Sequence, residues 1–128
     1  MSADDQDKKY LAKAIALAQR GVDEDRGGPF GAIIVQDDKV IGEGNNGVTS
    51  TNDPTAHAEV TAIRHACKTV ENFQLEGATI YSSCEPCPMC LAAIYWARIE
   101  RVVYACTRND AADIGFDDAH IEKRRLSG

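Results

Sequence analysis

Three cysteines at equal intervals in "CEPCPMC", residues 84–90, restrict this chain more than any other stretch of it. Cys84 with Cys87 and Cys87 with Cys90 each form a C-x-x-C pair. Such pairs serve disulfides, redox couples, closed structural metal sites or open catalytic ones. The N-terminus, "MSADDQDKKY", has no apolar run behind its charges and reads as neither a signal peptide nor a membrane span. The expected compartment is therefore the reducing cytoplasm, where structural disulfides are rare, and five cysteines is an odd number. The disulfide reading loses.

The 128 residues suit a single domain around one core. With 44% hydrophobic and 27% charged residues, the chain is expected to fold rather than remain disordered. Acidic residues outnumber basic ones, 20 to 14, for a formal charge of -6. That balance argues against a surface built to grip a nucleic-acid backbone, and it suits a small uncharged or cationic substrate.

Periodicity supplies the elements. "LAKAIALAQRG" spaces Leu11, Ala14, Ile15 and Ala18 along one helix face and predicts a helix ending near Gly21. "FGAIIVQDDKVIGEG" predicts two strands around a turn at Asp37-Asp38-Lys39. Asp53-Pro54 reads as a helix start, with the helix running to about Val70. "ATIYSS" and "RVVYAC" read as strands. "PMCLAAIYWAR" between them reads as a helix apolar almost all round, hence buried, with Tyr95 and Trp96 in packing roles. A short helical pattern, a break at Gly115 and a polar end follow. The order predicts an α/β layered domain whose mixed sheet opens with a hairpin. The longest irregular stretch, "GEGNNGVTSTNDPT", leads into a helix start, as loops that line sites often do.

The chemistry converges on two helix starts. Pro88 suits a first helical position, which makes Cys87 the cap and Cys90 the third residue, so that both sulfurs can point at one ion. A helix N-terminus favours negative charge and is expected to lower the thiol pKa. Two thiolates and the imidazole of His57, in "TAHAE", neutralise and bind a divalent zinc while leaving a fourth position open. Glu59, two residues beyond His57, is placed to move a proton between water and substrate. The combination of H-x-E with P-C-x-x-C is a known zinc-deaminase signature. The competing arrangement is a closed site that adds Cys84 as a fourth ligand. Cys84 falls at a strand end before the rigid Glu85-Pro86 step, and only the second of the two equal gaps falls on a helix, so the open site is expected. A redox pair at Cys84 and Cys87 would leave His57 and Glu59 unexplained.

On these residues the chain resembles the cytidine-deaminase-like superfamily of zinc nucleobase deaminases, and within it the guanine deaminases. The resemblance runs from the first helix to about residue 121 through "GGPFGAIIV", "NDPTAHAEVTAIR", "SCEPCPMC", "AIYWAR" and "GFDD". It implies a three-layer α/β/α fold with one zinc ion on His57, Cys87 and Cys90, and Glu59 as proton shuttle. It further implies that Asn46 hydrogen-bonds the purine and that Asp118 accepts from guanine, whose N–H donors suit an acceptor-only carboxylate. Phe30 and Ala58 complete the candidate substrate contacts. Each has a plainer reading: Asn46 holding a turn with Gly47, Asp117 and Asp118 as helix-start charges, and Phe30 as core. Cys67 and Cys106 read as inert core thiols, His65 as a helix-surface residue, and His120 has no assigned role.

The implied reaction is hydrolytic deamination of guanine to xanthine and ammonia. The alternatives are a guanosine or other aminopurine deaminase, a tRNA adenosine deaminase, and a zinc module without catalysis. The expected partner is a small purine, with neither nucleic acid nor membrane, in a homodimer formed by exchange of C-terminal segments. Members of the resembled family continue beyond the point where this chain ends at "EKRRLSG", so that segment is expected to be short or missing.

Overall fold

Successive side chains of a strand point to opposite faces, and the two buried clusters of this chain divide by that parity. The computed structural model describes residues 3–23, 30–106 and 122–125. Within them, β1 (Gly31–Gln36), β2 (Lys39–Asn45), β3 (Thr79–Cys84), β4 (Arg101–Cys106) and β5 (Glu122–Arg125) form one sheet in the order β2-β1-β3-β4-β5. β3 and β4 are parallel, and the other pairs are antiparallel. Ile33, Val35, Tyr81 and Val103 face α1 (Ala3–Asp23) and pack on its Tyr10, Leu11, Ala14 and Leu17. Ala32, Ile34, Ile80, Val102 and Tyr104 face the opposite way, toward α3 (Ala58–Val70) and α4 (Pro88–Trp96). The result is the expected three-layer arrangement, opened by a hairpin. Its two turn residues, Asp37 and Asp38, have φ of 52° and 61°, the left-handed pair of a tight hairpin.

Small residues decide how closely α3 approaches the sheet. Ala58, Ala62 and Ala66 are spaced four apart and all buried. They lie over Gly42 and Gly44 of β2, where an added Cβ would come within 2.5 Å of the Ala62 carbonyl oxygen and 2.7 Å of the Ala58 one. This backbone-on-backbone contact fixes the start of α3, and with it the site. No helix among the described residues is long and apolar enough to cross a membrane.

The structure corrects several boundaries. α1 begins at Ala3 and runs through Gly21 to Asp23. α3 starts at Ala58, not at Asp53-Pro54. The Asp53 carboxylate accepts the Thr55 N–H at 2.9 Å and hydroxyl at 2.6 Å, so this stretch closes into a turn before the helix. The irregular stretch contains a single helical turn, α2 (Val48–Thr51). α4 is not buried all round: Tyr95 and Trp96 are 56% and 71% exposed, and only Cys90 and Ile94 are buried. The polar end supplies β5, paired to β4 from Arg101↔Arg125 to Tyr104↔Glu122. Its "EKRR" carries no apolar alternation for a periodicity argument to find, and charged edge strands of this kind resist wrong pairing. The helical pattern expected after Cys106 lies outside the described residues, as do Asp117, Asp118 and His120.

One buried ionic cluster ties α1 to the sheet. Asp7, 2% exposed, accepts from the Tyr81 hydroxyl at 2.6 Å and from the Arg101 guanidinium at 2.8 Å. Burial first, and then the Asp7 carboxylate, push the Tyr81 phenol well above its ordinary range. Asp7→Ala should cost about 3 kcal/mol or more by stranding the guanidinium and the phenol, whereas Tyr81→Phe should cost about 1 kcal/mol. Urea denaturation of the variants checks this, and equal costs would contradict it.

Candidate active site

Two helix starts meet at one point beneath the end of β3. At the first, His57 occupies the cap position of α3 in an extended conformation (φ -68°, ψ 158°), its carbonyl accepting the Thr61 N–H at 2.9 Å. At the second, Cys87 caps α4 (φ -73°, ψ 170°) with Pro88 as the first helical residue. Its carbonyl accepts the Leu91 N–H at 2.8 Å, and Cys90 follows one turn on, fully buried. The His57 Nδ1 lies 3.6 Å from the Sγ of Cys87 and 3.6 Å from that of Cys90.

These distances test the fit of a metal. Tetrahedral zinc with Zn–S of about 2.3 Å and Zn–N of about 2.0–2.1 Å requires an N···S separation of about 3.6 Å. The donor set is of the same type, two thiols and an imidazole, and the three ligating atoms lie within 4.8 Å of one another. His57, Cys87 and Cys90 therefore fit zinc. Cys84 does not belong to that cluster, and Cys67, Cys84, Cys87 and Cys90 form no disulfide.

The thiol expectation is corrected for Cys90. Burial, followed by the neighbouring Glu59 and Cys87, pushes this thiol upward, not down. Desolvation of the third helical residue outweighs the favourable helix end. Metal binding must therefore displace a thiol proton, so affinity should rise with pH by up to roughly tenfold per unit for each proton released. Competition with a chromophoric chelator between pH 6 and pH 8 measures it, once the chelator's own pH dependence is subtracted. A flat profile would mean the ligands are already ionised without metal.

Glu59 is 7% exposed and lies beside the cluster. Burial raises its pKa, against the pull of its own backbone N–H, of neighbouring His57 and of the Cys90 thiol. A cavity of about 190 Å³ opens over these groups. Phe30, Asn46, His57, Ala58, Glu59, Cys84, Glu85 and Cys87 line it. It is smaller than the roughly 300–1,000 Å³ that accommodates drug-sized ligands.

The structure thus gathers His57, Cys87, Cys90, Glu59, Asn46, Phe30 and Ala58, while Asp118 lies outside the described residues. The plainer readings hold alongside. The Asn46 side-chain oxygen accepts the Val48 N–H at 2.9 Å, and Phe30 also packs against the core. His65 is on the surface as expected, and its Nδ1 accepts the Glu43 N–H of the sheet's outer strand at 3.1 Å. Cys84 and Glu85 as cavity walls were not anticipated. The clue was the strand ending just before Pro86, which stops β3 opposite Phe30.

An open three-ligand centre with a buried carboxylate beside it, on a mixed sheet between helices, defines a zinc-hydrolase type of site. The chain belongs to the deaminase family described as the cytidine and deoxycytidylate deaminase zinc-binding region, which matches residues 4–106. It is 59% identical over 114 residues to guanine deaminase of Bacillus subtilis, spanning 89% of this chain and 73% of that one. The X-ray structure of guanine deaminase from Bacillus subtilis superimposes with a TM-score of 0.82 at 56% identity, covering 92% of this chain and 73% of that chain. A tRNA-specific adenosine deaminase of Haemophilus influenzae is 40% identical over 119 residues, covering 88% and 68%.

Proposed function

We propose that this chain is a zinc-dependent guanine deaminase that converts guanine and water to xanthine and ammonia. The observation that carries the reading is the 3.6 Å spacing of His57 Nδ1 from both ligand sulfurs, with buried Glu59 beside them over a base-sized cavity. When bound, zinc supplies Lewis-acid activation of a water molecule at its open fourth position. Glu59, its proton affinity raised by burial, takes a proton from the attacking water and delivers it to the ring nitrogen beside C2. Once the water oxygen has added to C2, Glu59 takes the proton left on that hydroxyl and gives it to the amine, so that the C2–N bond breaks, ammonia leaves, C2 becomes a carbonyl and the carboxylate ends the cycle as it began. Ala58, where α3 begins, and Phe30 line the cavity and are assigned to contact the base.

Asn46 contributes direction. With its oxygen already accepting from Val48, its amide N–H groups are left to face an acceptor, and guanine presents O6 and N7 away from the reacting C2–N3 edge. Asp118 is proposed on the resemblance alone as the acceptor for guanine's N–H donors. It would reject bases lacking them, which leave a desolvated carboxylate unpaired. The whole of residues 1–128 is proposed to act as one deaminase domain in the cytoplasm, in keeping with its free thiols. A homodimer is proposed to cover the exposed apolar residues Tyr95 and Trp96 of α4, and sedimentation velocity tests it.

The deciding experiment is ammonia release by zinc-loaded protein over a panel of free bases, nucleosides and a tRNA anticodon stem-loop. Guanine should be the preferred substrate. Faster turnover of guanosine or another aminopurine would move the reading to that substrate, and adenosine deamination only within the stem-loop would move it to a tRNA enzyme. Zinc binding without ammonia release from any of them would leave a non-catalytic module.

A further inference from the structure

Where two neighbouring strands stop pairing, the sheet parts, and something must fix how far. The β1–β3 ladder runs from Val35↔Thr79 to Ala32↔Ser82, while β3 continues to Cys84 and still pairs with β4 at Cys84↔Cys106. At the first position past the ladder, the Gly31 N–H donates to the Ser83 hydroxyl oxygen at 3.0 Å, not to a backbone carbonyl, and Ser83 is fully buried. One residue earlier, the Ser82 hydroxyl donates to the Cys84 carbonyl at 2.6 Å. Gly31 is held on its other edge by pairing with Asn45 of β2, and α1 lies against its face, where an added Cβ would lie 2.3 Å from the Ala14 carbonyl oxygen.

The chain next to these two strand ends lines the cavity. Phe30 directly precedes Gly31, and Cys84 and Glu85 directly follow Ser83, so the Gly31–Ser83 bond joins two stretches that both line it. Resting on the guanine reading above, we infer that Ser83 is a positioning residue that sets the width of the base-binding slot through Gly31. Ser83 is not among the residues lining the cavity or the three that hold the metal. It acts by holding Phe30 at a fixed distance from the Cys84–Glu85 wall, so its contribution belongs to substrate binding rather than to the proton transfers of Glu59.

The test separates binding from chemistry. In zinc-loaded Ser83→Ala, the KM for guanine should rise about 5–10-fold, the loss of one buried hydrogen bond expressed as affinity. Zinc content and kcat should stay near wild type, and exchange of the Gly31 amide proton, followed by NMR, should accelerate. Ser83→Thr keeps the hydroxyl and should restore both KM and amide protection. Ser83→Cys, close in size but only a weak acceptor, should fall between them and keeps the test informative where the alanine variant does not fold. Unchanged KM, unchanged Gly31 exchange, or a kcat that falls as far as KM rises would overturn the inference while the guanine reading stands. A wild-type protein inert toward guanine would overturn both.

Discussion

Glu59→Ala should retain close to one zinc per chain while turnover falls by about two orders of magnitude or more. The reason lies in how the two helix starts divide the work. The nitrogen and both sulfurs of His57, Cys87 and Cys90 converge at tetrahedral spacing without the carboxylate. Glu59 is the second helical residue after the cap His57, on the first turn of α3, buried beside the same cavity. Burial that raises its pKa brings a carboxylate closer to the pH at which it both accepts and returns protons. Removing it thus takes away the proton path and leaves the ligands. Glu59→Gln sharpens the experiment, since it keeps the shape of the side chain but cannot carry the proton. Metal analysis and steady-state ammonia release on the same preparations decide the matter. Zinc lost together with activity would make Glu59 a ligand; activity kept within tenfold would mean that another group moves the proton.

Much of this architecture was legible because its causes are local. The hairpin announces itself in Asp37-Asp38, where two consecutive left-handed residues are tolerable, and the start of α4 in Pro88 behind Cys87. The metal cluster was legible because a cap residue and the third helical residue share a face whatever the rest of the fold does. Less visible were features decided at a distance. Asp53 chose between starting a helix and closing a turn, and the Thr55 donors settled it. The apolar composition of α4 gave no hint that Tyr95 and Trp96 would lie uncovered in a single chain, because burial depends on what packs against a helix as well as on its own residues. β5 was hidden for the opposite reason, being held by backbone pairing to β4 with no apolar alternation. The buried trio of Asp7, Tyr81 and Arg101 spans three elements and has no sequence pattern at all.

Cys84→Ala and Cys90→Ala form the sharper pair, since they differ in one assignment and resemble each other in most else. Both thiols are buried, at the end of β3 and in the first turn of α4, so each substitution removes one buried sulfur and costs some packing. Only Cys90 belongs to the metal cluster. Cys84→Ala should therefore keep its zinc, with its thermal midpoint lowered by packing alone. Cys90→Ala should lose the metal. Its further destabilisation should match that of the wild-type protein stripped with a chelator, because metal-binding energy is part of folding energy. Zinc stoichiometry and thermal unfolding, each with and without chelator, supply the comparison: the midpoint of Cys84→Ala should drop on chelation and that of Cys90→Ala should not move. Equal loss of zinc in the two variants would mean four protein ligands around the ion. No position would then remain for a reacting water, and the hydrolytic reading would go with it.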